Sequence, residues 1–336
     1  MTKTIWVVDI ELLTNRYTGQ WRENVPEIFS KETGLVIKTI SGTDYEGTTS
    51  GGFFDFTKTM KYKAEQQIKI SEMLSDGTIK DGDYIFYTDA FTPTVMATQY
   101  MINMTDRRVK QYGYIHTNSY DSSDILGIKG NNHWAKHFET SMFECLEEIY
   151  VATNYHLDHL LVNFPQYKNK FKVSGCPTNL TELEQYVSTN KEKIIVFPHR
   201  INEDKQPHLF EAMKEHFPDY DFIYTQGEKR TKEEYYTLLG KAEIVMSFAL
   251  HENYGIATLE SLHLGAKVIM PKDKSYTEMY SGGLLYDREL EKDIPALALR
   301  IKEILDDDKL QDYLDYSKKN IAENYCSFKK ACSLLN

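Results

Sequence analysis

The chain has 336 residues and 41% hydrophobic content, enough for two domains of about 150 residues, each with its own core. Its net charge of −11 disfavours a broad polyanion-binding surface, and no apolar run of about 18 residues marks a membrane span. The four cysteines (Cys145, Cys176, Cys326 and Cys332) lack CxxC or zinc spacing, and Met1 leads directly into a strand signal, so a cytoplasmic setting is expected.

In chain order, residues 5–8 read as a strand, 23–29 as part of a helix and 36–40 as the next strand. Residues 43–52 form a Gly/Thr/Ser-rich loop, 61–74 have helical periodicity, and 84–87 are a buried strand with Asp89 just beyond. Further strands are expected over 111–116, 148–152 and 170–173. The passage into a second domain lies near 178–192, with a short helix after Thr181. Alternation then resumes: strand 194–197, helix 206–216, strands 221–225, 243–247 and 267–270, helix 294–305, and a final helical region from Leu310. This order predicts α/β architecture with mostly parallel sheets. The expected domains are 1–180, 190–310 and a C-terminal helical region, 311–336, that packs back on the first.

Two short basic clusters, Arg107, Arg108 and Lys110, then Lys168, Lys170 and Lys172, fit solvated faces better than a phosphate track. Asp81-Gly-Asp83 and Asp306-Asp-Asp308 have carboxylates in number for a cation, but both read as turns.

The most informative stretch runs from Ser247 to Pro271. A strand enters a polar loop with Glu252 and Gly255, a helix begins near Ile256 to Thr258 and ends at Gly265, and another strand follows. Such a unit presents helix N–H groups and polar side chains at one end of a parallel sheet, where open α/β folds bind ligands. Glu252 in the loop and Glu260 on the helix suit the paired hydroxyls of a sugar and a ribose; the bland alternative is a solvated loop acid and a helix-start acid favoured by the dipole. Gly255 permits a tight turn, and Ile256, Thr258 and Leu259 bring backbone N–H groups towards a phosphate, although Thr258 is equally suited to capping. Upstream, Arg200 offers a forked pair of donors and Lys205 a mobile point charge; Glu203 and Asp204 admit local surface pairing instead.

Together these residues resemble the retaining GT-B glycosyltransferases, especially the glycogen-synthase-like and sucrose-synthase-like group often called family 4. Arg200 and Lys205 match that family's Arg-x4-Lys motif, and Glu252 and Glu260 match its Glu-x7-Glu motif. The segment Glu260-Ser-Leu-His-Leu-Gly265-Ala-Lys-Val-Ile is similar to the family helix and following strand, and 271–283 to its donor-side loop. The match is specific over 195–285. The resemblance implies two Rossmann-like domains facing a central cleft. Arg200 and Lys205 would neutralise a diphosphate, Glu252 would hold the donor sugar, and Glu260 the ribose. Backbone groups around Gly255 to Leu259 would assist. The chain departs from the family at His199 and Gln206, where glycines are expected, and lacks paired glycines over 9–19. The path from 221–225 to 243–247 is one strand–helix unit short.

In the first half, His116 is the best match to a cleft-edge histidine, against an ordinary packing role. Asp89 and Asp121 are possible acceptor contacts, with helix capping the simpler role for Asp89 and turn capping at least as suited to Asp121, and Arg16, Tyr17, Thr18 and Gly19 form either an anion-facing loop or, slightly better, a solvent loop. The resemblance implies a front-face retaining mechanism with a UDP-sugar donor and no essential cofactor or catalytic metal, in which alignment and charge stabilisation do the work. The acceptor stays open between hydroxylated bases of DNA, as in phage enzymes of similar architecture, and a cell-surface glycan or lipid. Alternatives are a sugar-nucleotide-binding protein without turnover and a GT-B-like epimerase. A dinucleotide oxidoreductase is disfavoured because no GxGxxG turn follows the first strand.

Overall fold

The computed structural model describes residues 3–13, 18–45, 55–122, 125–128, 132–227, 230–326, 328 and 331. The chain separates into two compact units, one of residues 1–178 with 327–336 and the other of 179–326.

The first unit contains β1 (Thr4–Val8), α1 (Thr18–Thr33), β2 (Val36–Ile40), α2 (Phe56–Ser75), β3 (Tyr84–Tyr87), α3 (Thr94–Met104), β4 (Lys110–Tyr114), α4 (Ile125–Ile128), α5 (Asn132–Cys145), β5 (Glu148–Val151), α6 (Asn154–Asn163) and β6 (Phe171–Val173). The strands form one parallel sheet in the order β2-β1-β3-β4-β5-β6. β3 reads as an unbroken apolar run because both its faces are covered, whereas the edge strand β2 is largely exposed. Trp21, Val25 and Phe29, one turn apart along α1, are all buried. Phe328 joins this face, with its ring centroid 5.8 Å from that of Phe29 and 5.9 Å from that of Phe86.

The second unit opens with a 3-10 turn (Thr181–Tyr186). It continues through β7 (Glu192–Phe197), α7 (Pro207–Met213), β8 (Asp221–Tyr224), α8 (Lys232–Lys241), β9 (Ala242–Met246), α9 (Ile256–His263), β10 (Lys267–Pro271), α10 (Tyr276–Met279), β11 (Leu285–Tyr286), α11 (Ile294–Leu305) and α12 (Leu310–Asn324). Its sheet is also parallel, in the order β11-β10-β9-β7-β8. One helix, α8, fills the interval between β8 and β9, in keeping with the short spacing there. The helix expected over 206–216 tightens to 3-10 geometry at Lys214–His216. α12 is one helix within the second unit, and only the chain beyond Cys326 counts with the first.

In each unit the strand order reverses once, between β1 and β3 in the first and between β7 and β9 in the second. Ligands of open α/β sheets bind at such reversals, beyond the carboxyl ends of the strands.

Candidate functional site

In the second unit, β7, β9 and β10 end side by side and release their loops at the same sheet edge. The β7 loop carries His199, Arg200 and Lys205, and the β9 loop carries Ser247 and Glu252. Ser275 and Tyr276 follow β10. The local sequence explains this arrangement. Each strand ends in a buried apolar run, and the first polar residues after it reach the edge where the sheet stops.

Glu252 is held at this edge. Its Oε1 accepts a hydrogen bond from Lys205 Nζ at 2.9 Å, and its backbone carbonyl accepts from Ser275 Oγ at 3.0 Å. Burial alone would raise its carboxyl, but the Lys205 ammonium beside it holds it down at about 2. Lys205 also donates to His251 O and lies 3.3 Å from Asp204. The lysine expected as a mobile point charge is therefore 6% exposed and fixed by three acceptors. Arg200 is more exposed, with Asp204 at 3.9 Å.

His199 lies 3.6 Å from Glu252 Oε1 through Nδ1, while its Nε2 is 2.7 Å from Ser247 Oγ. Ser247 Oγ is in turn 3.0 Å from Tyr276 OH. Burial pushes the His199 imidazole down to about 4 against the pull of Glu252, so the ring is neutral at pH 7. The tautomer that points Nδ1–H at the carboxylate leaves Nε2 to accept from the Ser247 hydroxyl, and the electrostatics favour it. His199 stands where the resembling family has glycine, and the imidazole turns that corner into a polar support for Glu252. Gln206, the other glycine position, keeps a left-handed backbone (φ 50°) and is anchored by bonds of 2.9 Å to Phe248 O and to Glu291.

Gly255 precedes α9 with φ 78°. A Cβ there would stand 2.9 Å from Thr258 Oγ1 and 3.0 Å from the Tyr276 ring, so both conformation and space require glycine. Thr258 folds its hydroxyl back to Gly255 O at 2.8 Å and meets Tyr280 OH at 3.0 Å. That is a local structural use of the side chain. Ile256 is half-buried at the helix start and Leu259 packs in the core. Glu260 is 4% exposed, and its two oxygens accept from Tyr235 OH at 3.1 Å and Tyr236 OH at 3.0 Å.

In the first unit, His116 lies just past β4, with Nε2 2.9 Å from Thr88 O and its ring packed on Trp21 at 4.6 Å. Burial lowers its pKa despite the neighbouring Asp89. Asp89 accepts from Lys63 Nζ at 2.7 Å and from Phe91 N at 3.2 Å, combining an ion pair with a turn cap. Burial would raise its carboxyl, yet the Lys63 charge holds it below its ordinary range. Asp121 is buried in the turn after Asn118. Thr18 starts α1 and its Oγ1 accepts from Leu13 N at 3.2 Å; Gly19 follows it against Leu12. Arg16 and Tyr17 lie outside the described residues. Asp83 bonds Thr4 N, Lys80 N and the Trp6 indole, and Asp81 pairs with Arg108, so both acids of that turn serve the scaffold. Among the described residues, no group of three or more His, Cys, Asp or Glu side chains is arranged to hold a metal ion.

His199, Ser247, Tyr235, Tyr236 and Tyr276 were not singled out from the sequence. Only His199 carried a local signal, as a departure beside Arg200. The others meet the site from 24 to 29 residues away or from another strand.

No family model matches the chain. Solved structures do match along its length. A glycosyltransferase from Rickettsia africae is 13% identical with a TM-score of 0.64, covering 99% of this chain and 98% of that one. Sucrose-phosphate synthase from Thermosynechococcus elongatus is 12% identical with a TM-score of 0.66, covering 99% and 98%. Anabaena HepE, solved with UDP and glucose, is 10% identical with a TM-score of 0.60, covering 99% of each chain. At these identities the likeness is one of fold: the chain has the GT-B α/β architecture that its motifs predict.

Proposed function

We propose that the protein transfers a sugar from a nucleotide-sugar to an acceptor hydroxyl. The observation that carries this reading is the convergence of Arg200, Lys205 and Glu252 with the glycine-opened start of α9, at the strand-order reversal of the second unit. Arg200 meets the diphosphate with forked donors as negative charge develops on the leaving group. Lys205 adds its field while keeping Glu252 ionised, and the Glu252 carboxylate accepts from hydroxyls of the donor sugar. The N–H groups opening α9 stabilise phosphate oxygens. Glu260 takes the ribose diol on the side where Tyr235 is half-exposed, while Tyr236 keeps the other oxygen.

The donor is a UDP-sugar, a hexose in the first instance. Solved structures of this fold that hold UDP or UDP with a sugar support this choice. The reaction retains anomeric configuration by front-face attack, with the departing phosphate taking the acceptor proton. Glu252 is a contact to the sugar rather than a nucleophile. Its Lys205-bound carboxylate, with its pKa at about 2, has weak basicity and suits hydrogen-bond acceptance.

Isothermal calorimetry with UDP-glucose, UDP-galactose, UDP-N-acetylglucosamine and UDP tests the donor site. Saturable binding that weakens by roughly tenfold or more in R200A, with the fold retained, is expected for loss of a charged phosphate contact. UDP binding that survives R200A unchanged would rule out the assigned phosphate site.

A further inference from the structure

Two groups approach the Glu252 carboxylate, and both reach the same oxygen. Lys205 Nζ donates to Oε1 at 2.9 Å, and His199 Nδ1 stands 3.6 Å from Oε1. Oε2 takes no hydrogen bond among the described residues, and the side chain keeps 17% of its surface exposed. The carboxylate is therefore tied at one oxygen and open at the other, which is left to meet a hydroxyl of the donor. The last torsion of a glutamate is broad, so a single bond to Oε1 does not fix where Oε2 points. The second group beside Oε1 decides that direction.

His199 is built to be that group. It is buried, its ring meets that of Phe197 edge-on with centroids 5.5 Å apart, and Nε2 is 2.7 Å from Ser247 Oγ. Ser247 is fully buried and its hydroxyl is in full use. It donates to Nε2 and accepts from Tyr276 OH at 3.0 Å and from Ala249 N at 3.4 Å. Tyr276 is buried too, with its ring against the Gly255 turn. Donors thus run in one direction, Tyr276 to Ser247 to His199, and the chain ends with Nδ1–H facing Oε1. At 3.6 Å this last contact is a dipole facing a charge rather than a hydrogen bond. It guides the carboxylate without displacing Lys205. A glycine, which the resembling family has at this position, supplies neither the wall nor the dipole.

We propose that His199 is a positioning residue that sets donor-sugar selectivity, holding Glu252 Oε2 in one direction so that hexoses differing at a single hydroxyl are told apart. The proposal rests on the sugar-transfer reading and names the discrimination made at that same site. Epimers carry one hydroxyl in an axial or an equatorial place. A carboxylate free to turn follows the hydroxyl to either place. One held in a fixed direction leaves the wrong epimer's hydroxyl unpaired, which costs affinity.

Isothermal calorimetry on the full chain tests it with UDP-glucose, its epimers UDP-galactose and UDP-mannose, and UDP alone. The wild type is expected to favour one of the three sugars over another by about tenfold or more. H199G is expected to bring that ratio to about twofold or less, and H199N, whose amide N–H takes the place of Nδ1–H, to fall between them. S247A frees the imidazole to turn; it is expected to narrow the ratio as well, and gives the reading should H199G unfold. UDP alone is expected to stay within about twofold of its wild-type affinity in these variants, because it lacks the sugar that Glu252 meets. The proposal is overturned if the wild type binds all three sugars alike or if the ratio survives both H199G and S247A. It is also overturned if UDP binding falls in step with the ratio, which marks a collapsed site. UDP that fails to bind the wild type would instead defeat the donor reading itself.

Discussion

Glu252 shows how a carboxylate can be buried, ionised and still serve as a contact. Its solvation is replaced by one ammonium, with an imidazole alongside whose other nitrogen is engaged by a serine. Because burial opposes ionisation and Lys205 is the main group countering it, K205M is expected to carry the Glu252 pKa from about 2 to above the ordinary glutamate range. A carbon-13 titration of the glutamate carboxyls measures this. His199 makes a separate statement about stability. Its folded pKa of about 4 lies below the unfolded value of about 6.5, so the unfolded state binds the extra proton between these limits. Folding stability therefore falls as pH drops from about 6.5 towards 4, by on the order of 3 kcal/mol from this residue. Urea unfolding at pH 7 and pH 4.5 is expected to show a smaller loss in H199N than in the wild type; an equal loss would mean that the imidazole is not held neutral.

At the scale of elements, the start of α9 is the most constrained point of the site. Gly255 has a left-handed backbone and no room for a Cβ, so G255A combines conformational strain with a clash against Thr258 and Tyr276. A cost of about 2 kcal/mol or more is expected in chemical denaturation, together with weaker nucleotide binding as the first turn shifts. This unit was legible in the sequence because its signals are local: buried apolar strands, a glycine at the turn, and a glycine after the helix. The strand Val36–Ile40 and the helix Ile294–Leu305 were legible for the same reason. The helix Asn132–Cys145 is not among the sequence expectations, although Ala135, Phe138, Met142 and Phe143 recur at helical spacing, and the two-residue strand Leu285–Tyr286 is too short to leave a period. The surroundings of Glu260 are not legible in the sequence because they are tertiary: Tyr235 and Tyr236 arrive from α8, and nothing near Glu260 announces them. Glu11 lies in the stretch after β1 where the resembling family has paired glycines, and only the structure shows that one of its carboxylate oxygens is buried without a partner.

At the scale of the molecule, the chain builds one parallel sheet, then a second, and its last residues return to the first unit. Phe328 is fully buried there among Trp21, Phe29, Phe86 and Tyr114. F328A is expected to destabilise the first unit by about 3 kcal/mol or more through loss of a buried ring, read as a lower unfolding midpoint for probes in that unit. Each sheet has a single reversal of strand order, and polar groups collect beside both: Arg200 and Glu252 in one unit, Glu11 and Asp89 in the other. Under the proposed function, the reversal in the second unit is the one that takes the nucleotide-sugar. Mass spectrometry after incubation of the purified chain with UDP-sugars and separate glycan, lipid and hydroxymethylated DNA pools tests the account most directly. The account predicts a sugar-sized mass increment on one of these pools, with stoichiometric UDP release, abolished in R200A. Conversion of a UDP-sugar with no gain of mass on any pool would contradict it.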